Sequence, residues 1–91
     1  MAYDAQFPKD PDAVLDFTRD WSAWLGTDEI VNSTWIAEAG ITIDSSSNTL
    51  TTATVWLSGG TPFGAYIVTN RITTVGGRTD DRSFLITVAE R

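Results

Sequence analysis

The chain has 91 residues, of which 42% are hydrophobic and 11% aromatic, and its formal net charge is −6. These values indicate one folded domain and exclude a disordered tail. The 6 basic residues are scattered and outnumbered by 12 acidic ones, which argues against a nucleic-acid partner because phosphate binding needs clustered Lys and Arg.

Residues 1–12 are predicted to form an extended arm. Pro8 and Pro11 fix φ and remove backbone donors, which excludes a helix or a central strand. Phe7 can anchor this arm to the rest of the chain. A frayed terminus and an arm that orders against a neighbouring protein are both open interpretations. The domain itself is expected to span residues 13–91.

Residues 14–21 alternate apolar and polar side chains, which predicts a strand. The side predicted to face the core carries three large residues: Leu15, Phe17 and Trp21. An amphipathic helix over residues 13–25 is the alternative, and the weak helix propensity of Asp, Thr and Trp disfavours it. Residues 22–25 are ambiguous and can extend the strand, so no helix is predicted.

Three more strands are predicted in the middle of the chain, at residues 30–37, 41–43 and 50–57. The polar run at residues 44–49 is predicted to be a loop. Trp35 lies mid-strand, where a sandwich commonly buries an aromatic residue, and is assigned to the core.

Trp56 is a candidate interface anchor. If Ala53, Val55 and Leu57 point inward, the pleat of the strand sends Trp56 outward, and exposed Trp is enriched in binding hot spots. Cover by the N-terminal arm or by Trp24 is the alternative interpretation.

The last third of the chain predicts a hairpin, with strands at residues 66–74 and 82–88. The inward faces are expected to carry seven residues: Tyr66, Val68, Asn70, Ile72, Phe84, Ile86 and Val88. Tyr66 is expected to form a tyrosine corner, in which its hydroxyl bonds to the backbone. The tip, from Gly76 to Arg82, is predicted to be a solvated turn, and its Arg78 and Arg82 are candidate contact residues.

These elements predict an all-β fold, an immunoglobulin-like β-sandwich of about seven strands in two antiparallel sheets. Without His or Cys, histidine-based triads and thiolate metal sites are impossible. The Gly-Gly turns lack the residues of a phosphate loop, and the short acidic pairs are too few for a calcium site. We therefore predict no enzyme activity, no catalytic residue, no cofactor and no metal.

The N-terminus has neither a basic nor an apolar signal-peptide region, and no stretch approaches the 18 apolar residues of a membrane span. We therefore expect synthesis in a cytoplasm and no membrane contact.

The order and spacing of five segments carry a family resemblance: VLDFTRDWSAWLG at 14–26, IVNSTW at 30–35, VWLSGG at 55–60, YIVTNRITT at 66–74 and GRTDDRSF at 77–84. In these the chain resembles a family of small tailed-bacteriophage proteins, the fiber-tail adaptors and similar virion proteins with an immunoglobulin-like sandwich.

The resemblance implies a structural protein of the phage particle, made in the host cytoplasm, which docks other virion proteins of the tail or fiber and carries no catalytic residues. The candidate interface residues are Phe7, Trp56, Arg78 and Arg82. Open sheet edges also leave self-association of the chain open. The alternative is a carbohydrate- or cell-surface-binding module of a host-recognition apparatus, in which Trp24 or Trp56 stacks on a sugar. An accessory domain derived from an enzyme ranks last.

Overall fold

The computed structural model describes residues 3–89. Its elements are β1 (Gln6–Lys9), β2 (Leu15–Asp20), α1 (Ser22–Leu25), β3 (Ile30–Ala37), β4 (Ile41–Asn48), β5 (Thr52–Gly59), β6 (Ala65–Thr74) and β7 (Thr79–Val88). The strands form a four-stranded sheet in the order β1-β7-β6-β3 and a three-stranded sheet in the order β2-β5-β4. The predicted all-β sandwich of seven strands is confirmed. One detail differs, because β1 pairs with β7 in parallel, whereas the other described pairings are antiparallel.

The main core lies between the two sheets and is built by the predicted alternation. Seven buried apolar residues form it: Ile41, Val55, Leu57, Val68, Phe84, Ile86 and Val88. Every second residue of a strand points to the same face, so the apolar sets of β5, β6 and β7 meet across the sandwich. The predicted inward positions of the hairpin are confirmed from Val68 to Ile72 and from Phe84 to Val88. Trp35 is partly buried and packs its ring edge-on against Phe84 at 5.8 Å.

A short helix closes one end of the sandwich, where no helix was predicted. The chain turns at Trp21, and the N–H of Leu25 donates to the carbonyl of Trp21. Trp21 and Leu25 are both buried and form a second core cluster with Ile30 and Ile72. A continued strand would place residues 21 and 25 on one face but about 13 Å apart, whereas one turn of helix brings them within about 6 Å of each other and into one cluster. Gly26 then ends the helix with a positive φ of 63°.

Two other predictions were wrong in detail. Residues 44–48 are not a loop but the second half of β4, with an irregularity in register between Ile43 and Ser45. Pairing with β5 satisfies the backbone groups on one side of this edge segment, and its polar side chains are exposed to solvent. Leu15, assigned to the core, is 38% exposed because it lies at the start of the edge strand β2.

The closing turn is shorter than predicted and covers residues 75–78. Asp80 and Asp81 already belong to β7 and pair with Ile72 and Arg71 of β6. The tyrosine corner is present, since the hydroxyl of Tyr66 accepts a hydrogen bond from the backbone N–H of Thr61 at 3.0 Å.

Candidate docking surface

Trp56 lies on the outward face of the three-stranded sheet. Its strand, β5, is the central one of that sheet. Ala53, Val55 and Leu57 are fully buried on the inward face, while Trp56 is 42% exposed. The alternation along β5 therefore places a large aromatic ring in the middle of a solvent-facing sheet surface.

The neighbours of Trp56 on this face are polar. The register places Asp16 of β2 on one side of Trp56 and Ser45 of β4 on the other. Two residues further along the same face, the hydroxyl oxygens of Thr18 and Thr54 are 2.9 Å apart. The surface is thus a single aromatic ring framed by hydroxyl and carboxylate groups, and we call it the Trp56 face.

The two groups proposed as cover for Trp56 contact other parts of the molecule. The arm contributes β1, which pairs with β7 in the opposite sheet. The indole of Trp24 packs edge-on against Trp21 at 5.4 Å and stacks under the guanidinium of Arg78 at 4.1 Å.

Phe7 lies on β1 and takes part in an aromatic cluster. Its ring is 5.6 Å from that of Phe17 and 5.4 Å from that of Phe84. The side chain is nevertheless 36% exposed, so it has one face on the sandwich and one face toward solvent. Phe7 therefore packs within the domain, and its contact with a partner protein remains a prediction.

Arg78 holds the closing turn to the end of α1. Its Nε donates to Asp28 at 3.0 Å, and its Nη2 donates to the carbonyl oxygen of Leu25 at 3.0 Å. Since a helix leaves its last carbonyls without partners, the guanidinium caps α1 while it also covers the ring of Trp24.

Arg82, the fourth residue of β7, has a similar role. Its guanidinium lies 4.7 Å from the centre of the buried Trp21 ring, and the residue is half-buried. Arg78 and Arg82 thus stack on Trp24 and Trp21, respectively, and both guanidinium groups have intramolecular partners. The four candidate residues do not form one patch in the contacts of residues 3–89.

Asp28 anchors the same turn. The Thr74 hydroxyl first, and then the N–H of Gly76, hold the pKa of the Asp28 carboxyl well below its ordinary value of 3.8. The carboxylate also accepts hydrogen bonds from the N–H groups of Glu29 and Gly76, each at 2.9 Å.

We expect Asp28→Asn to lower the melting temperature at neutral pH. A carboxyl whose pKa is lowered by folding stabilises the protein fully above its unfolded pKa and loses that effect as the pH falls. The difference in melting temperature between wild type and variant should therefore be constant above about pH 5 and should shrink as the pH falls below the ordinary carboxyl pKa of 3.8. Melting curves of both proteins from about pH 7 to about pH 2.5 measure it. A gap that is independent of pH would contradict the assignment, and Asp16→Asn on the Trp56 face is the control.

An open depression on the four-stranded sheet is lined by Arg71, Thr79, Asp80 and Asp81. There the carboxylate of Asp81 accepts two hydrogen bonds from Arg71, at 2.8 and 2.9 Å, so its oxygens are engaged. Among residues 3–89, no group of three or more acidic side chains is placed to hold a metal ion. No helix in this part of the chain is long and apolar enough to cross a membrane.

Phe63 was missed as a candidate. The Gly- and Pro-rich segment at residues 58–64 predicts only a turn, yet Phe63 is 83% exposed and has a positive φ of 66°. A bulky aromatic residue between Pro62 and Gly64, at the tip of a turn, was the available signal.

The two packed sheets define an immunoglobulin-like β-sandwich. In agreement, the solution structure of the PKD domain from KIAA 1837 protein superimposes with a TM-score of 0.56 and 20% sequence identity, covering 98% of this chain and 82% of that chain. This similarity shows the fold alone. No curated protein matches the sequence.

A family model described as podophage GP4 fiber-tail adaptor protein gp77 matches residues 9–87. The chain therefore belongs to this fiber-tail adaptor family of tailed bacteriophages, and the predicted resemblance is confirmed. The match begins at Lys9, the last residue of β1, and includes all of the remaining strands up to the penultimate residue of β7. A structural role in the phage particle follows from the family.

Proposed function

We propose that this protein is a non-enzymatic adaptor of the phage virion, which joins or decorates tail and fiber components through protein–protein contacts and uses the Trp56 face as a docking surface. It is made in the host cytoplasm and incorporated during assembly. The family supplies the structural role, and the exposed Trp56 at the centre of an uncovered sheet is the observation that supports the surface.

The Trp56 face has the composition of a binding hot spot. A large, stiff ring supplies contact area at a low cost in side-chain entropy, and surrounding polar groups exclude water and set orientation. The β-sheet beneath it is rigid because Ala53, Val55 and Leu57 are fully buried on the other side. The surface therefore needs little ordering when a partner binds, which favours affinity.

Trp56→Ala is expected to prevent incorporation into particles while the fold persists. Loss of a hot-spot Trp weakens binding by about 30-fold or more. The unfolding free energy should fall by only about 1–2 kcal/mol, because the ring lies on the outward face of the sheet and is 42% exposed. Particles are assembled in cells that supply the variant in place of the wild type, and mass spectrometry of purified particles measures its copies.

The control is Val31→Ala, since Val31 is 62% exposed but lies on β3 in the other sheet. It should be incorporated like the wild type. Normal incorporation of Trp56→Ala would remove Trp56 as an anchor.

The polar frame of Trp56 also supports the second candidate function, a carbohydrate- or cell-surface-binding module. In that case the indole stacks on a sugar ring, and Asp16 and Ser45, its neighbours in the register, form hydrogen bonds with the hydroxyl groups. Quenching of Trp fluorescence by host glycans, lost in Trp56→Ala, would favour this function. If Trp56→Ala were incorporated into particles normally but no longer bound glycans, the result would favour the carbohydrate-binding function over the adaptor function of the Trp56 face.

A further inference from the structure

Phe63 is the most exposed large apolar side chain among residues 3–89, at 83%. It is also the one non-glycine residue of that part of the chain with a positive φ, 66°. This conformation is uncommon outside glycine and asparagine and is strained for a bulky residue. Strain of this kind persists where the surrounding structure imposes it, and it is concentrated at functional sites.

The backbone around Phe63 is held by hydrogen bonds to the end of β7. The N–H of Phe63 donates to the carbonyl oxygen of Val88 at 2.7 Å, and the N–H of Val88 donates to that of Gly64 at 2.9 Å. The N–H of Gly64 in turn donates to the carbonyl oxygen of Thr61 at 2.9 Å. The turn is therefore fixed as an extension of the four-stranded sheet.

The tyrosine corner also holds this turn in place. The Tyr66 hydroxyl accepts the hydrogen bond from the Thr61 N–H, and a Cβ on Gly64 would lie only 2.8 Å from that hydroxyl oxygen. Gly64 is thus required for the close approach, and the turn has little freedom to relax. The exposed Phe63 ring therefore projects from a backbone turn that is held in one conformation.

Packing inside the domain does not account for an aromatic ring at position 63. A side chain that is 83% exposed contributes little buried area, and Gly or Asn would adopt its φ with less strain. The residue type is therefore explained better by a contact outside the chain than by packing inside it.

The end of the sandwich that carries Phe63 is acidic. The neighbouring turn bears the exposed Glu38, and the carbonyl oxygen of Gly40 in that turn accepts the N–H of Gly60. Asp12 and Asp44 are also exposed and act electrostatically on Lys9. The Lys9 ammonium itself is buried and donates to the carbonyl oxygen of Gly59 at 2.7 Å.

The described residues of a second copy offer no uncommitted basic side chain to this surface. The basic side chains of residues 3–89 are engaged internally, either with carbonyl oxygens, with carboxylates or on a Trp ring: Lys9, Arg19, Arg71, Arg78 and Arg82. An exposed aromatic ring at an acidic end of the domain instead fits a different protein, with an apolar pocket bordered by Lys or Arg.

We propose that the Phe63 turn is a second docking site, which inserts the Phe63 ring into an apolar pocket with a basic rim on a tail or fiber protein. The proposal rests on the adaptor function above. The Trp56 face belongs to the three-stranded sheet and the Phe63 turn is bonded to the end of β7 in the other sheet. Two sites on different sheets would let one small domain hold two partners at once.

The test uses two immobilised probes, purified fibers and purified particles that lack this protein, and measures binding of wild type, Phe63→Asn and Trp56→Ala. Phe63→Asn should bind one probe about 30-fold more weakly or worse and the other normally, and Trp56→Ala should show the reverse. Asn suits a positive φ, so the melting temperature should not fall. Added salt should weaken the binding of the wild type to the probe that Phe63→Asn fails to bind. Val75→Thr, at a 68% exposed position in the turn at the other end of β6, is the control and should bind both probes normally.

Equal binding of Phe63→Asn and wild type to both probes would overturn the Phe63 site and leave the adaptor function standing. Failure of a folded Phe63→Asn to bind either probe would overturn the claim of two separate sites. Self-association of the wild type that Phe63→Asn abolishes would overturn the proposed pocket on another protein and assign the turn to a second copy. Binding of the wild type to neither probe would overturn the adaptor function itself.

Discussion

Deletion of residues 1–9 is expected to lower the unfolding free energy by at least about 3 kcal/mol, and so the melting temperature by roughly 12–24 °C. The deletion removes β1, whose register with β7 runs from Gln6 opposite Leu85 to Lys9 opposite Val88. It leaves a long, bare edge on β7, and an uncovered strand edge exposes backbone groups to solvent and to aggregation.

Two side chains of β1 add to this effect. Loss of Phe7 uncovers the rings of Phe17 and Phe84, which it contacts at 5.6 and 5.4 Å. Loss of Lys9 removes the hydrogen bond to the carbonyl oxygen of Gly59, at the end of the other sheet, so β1 connects the two layers. Burial lowers the pKa of the Lys9 ammonium, against the opposing effect of Asp10, Asp12 and Asp44.

Thermal and urea unfolding of the full chain and the truncated chain measure the effect. Deletion of residues 1–3 is the control, since it keeps β1 and the ion pair between Asp4 and Arg19 at 2.7 Å. The placement of the domain boundary after residue 12 stays a prediction, and this experiment tests it. An unchanged melting temperature would make residues 1–9 a separable arm, free to act in assembly. The expected drop would make them part of the sandwich.

Asn70→Val is the second substitution with a large expected cost, about 3 kcal/mol in unfolding free energy. Asn70 is fully buried, and its Oδ1 accepts the Nε1–H of the equally buried Trp21 at 2.8 Å. Its amide nitrogen donates to the Ser33 hydroxyl at 2.9 Å and to the Thr34 carbonyl oxygen at 3.0 Å. Valine would fill a similar space but leave the buried Trp21 donor without this partner and remove both bonds of the amide nitrogen, and a buried unpaired group costs about 1–3 kcal/mol.

A double-mutant cycle with Trp21→Phe isolates the central hydrogen bond. Because the Phe variant has no indole N–H, Asn70→Val should cost less in that background by about 1 kcal/mol or more. Thr69→Val is the matched control, since Thr69 is the preceding residue and only shares a hydrogen bond of 2.7 Å with the hydroxyl of Ser83. Equal costs of Asn70→Val in both backgrounds would show that the Trp21 contact does not stabilise the fold.

Local alternation was enough to predict the core of the sandwich. Val55 and Leu57 on β5, like Phe84 and Ile86 on β7, are buried as their period of two requires. The same pattern placed Trp56 outward. Such positions depend only on the pleat of each strand, and the pleat is a local property of the backbone.

The errors occur where nonlocal contacts decide the local conformation. Residues 44–48 form a strand because β5 supplies their hydrogen bonds, although their composition is that of a loop. Residues 22–25 form a helix because Trp21 and Leu25 enter one buried cluster with Ile72, a residue nearly fifty positions away. Neither the pairing partner nor the cluster is visible in a short window of sequence.

The sequence by itself determined the class of this protein: period-two strands and glycine turns predict a β-sandwich, and the order of its motifs matches the fiber-tail adaptor family. Only the tertiary structure decided which residues of the turns and strand ends are exposed. Arg78 and Arg82 stack on Trp24 and Trp21, whereas Phe63 projects from a turn bonded to the end of β7. The physical reason is that the pleat of a strand sends successive side chains to opposite faces, which is a local property. The exposure of a loop or edge residue depends instead on which distant element packs beside it.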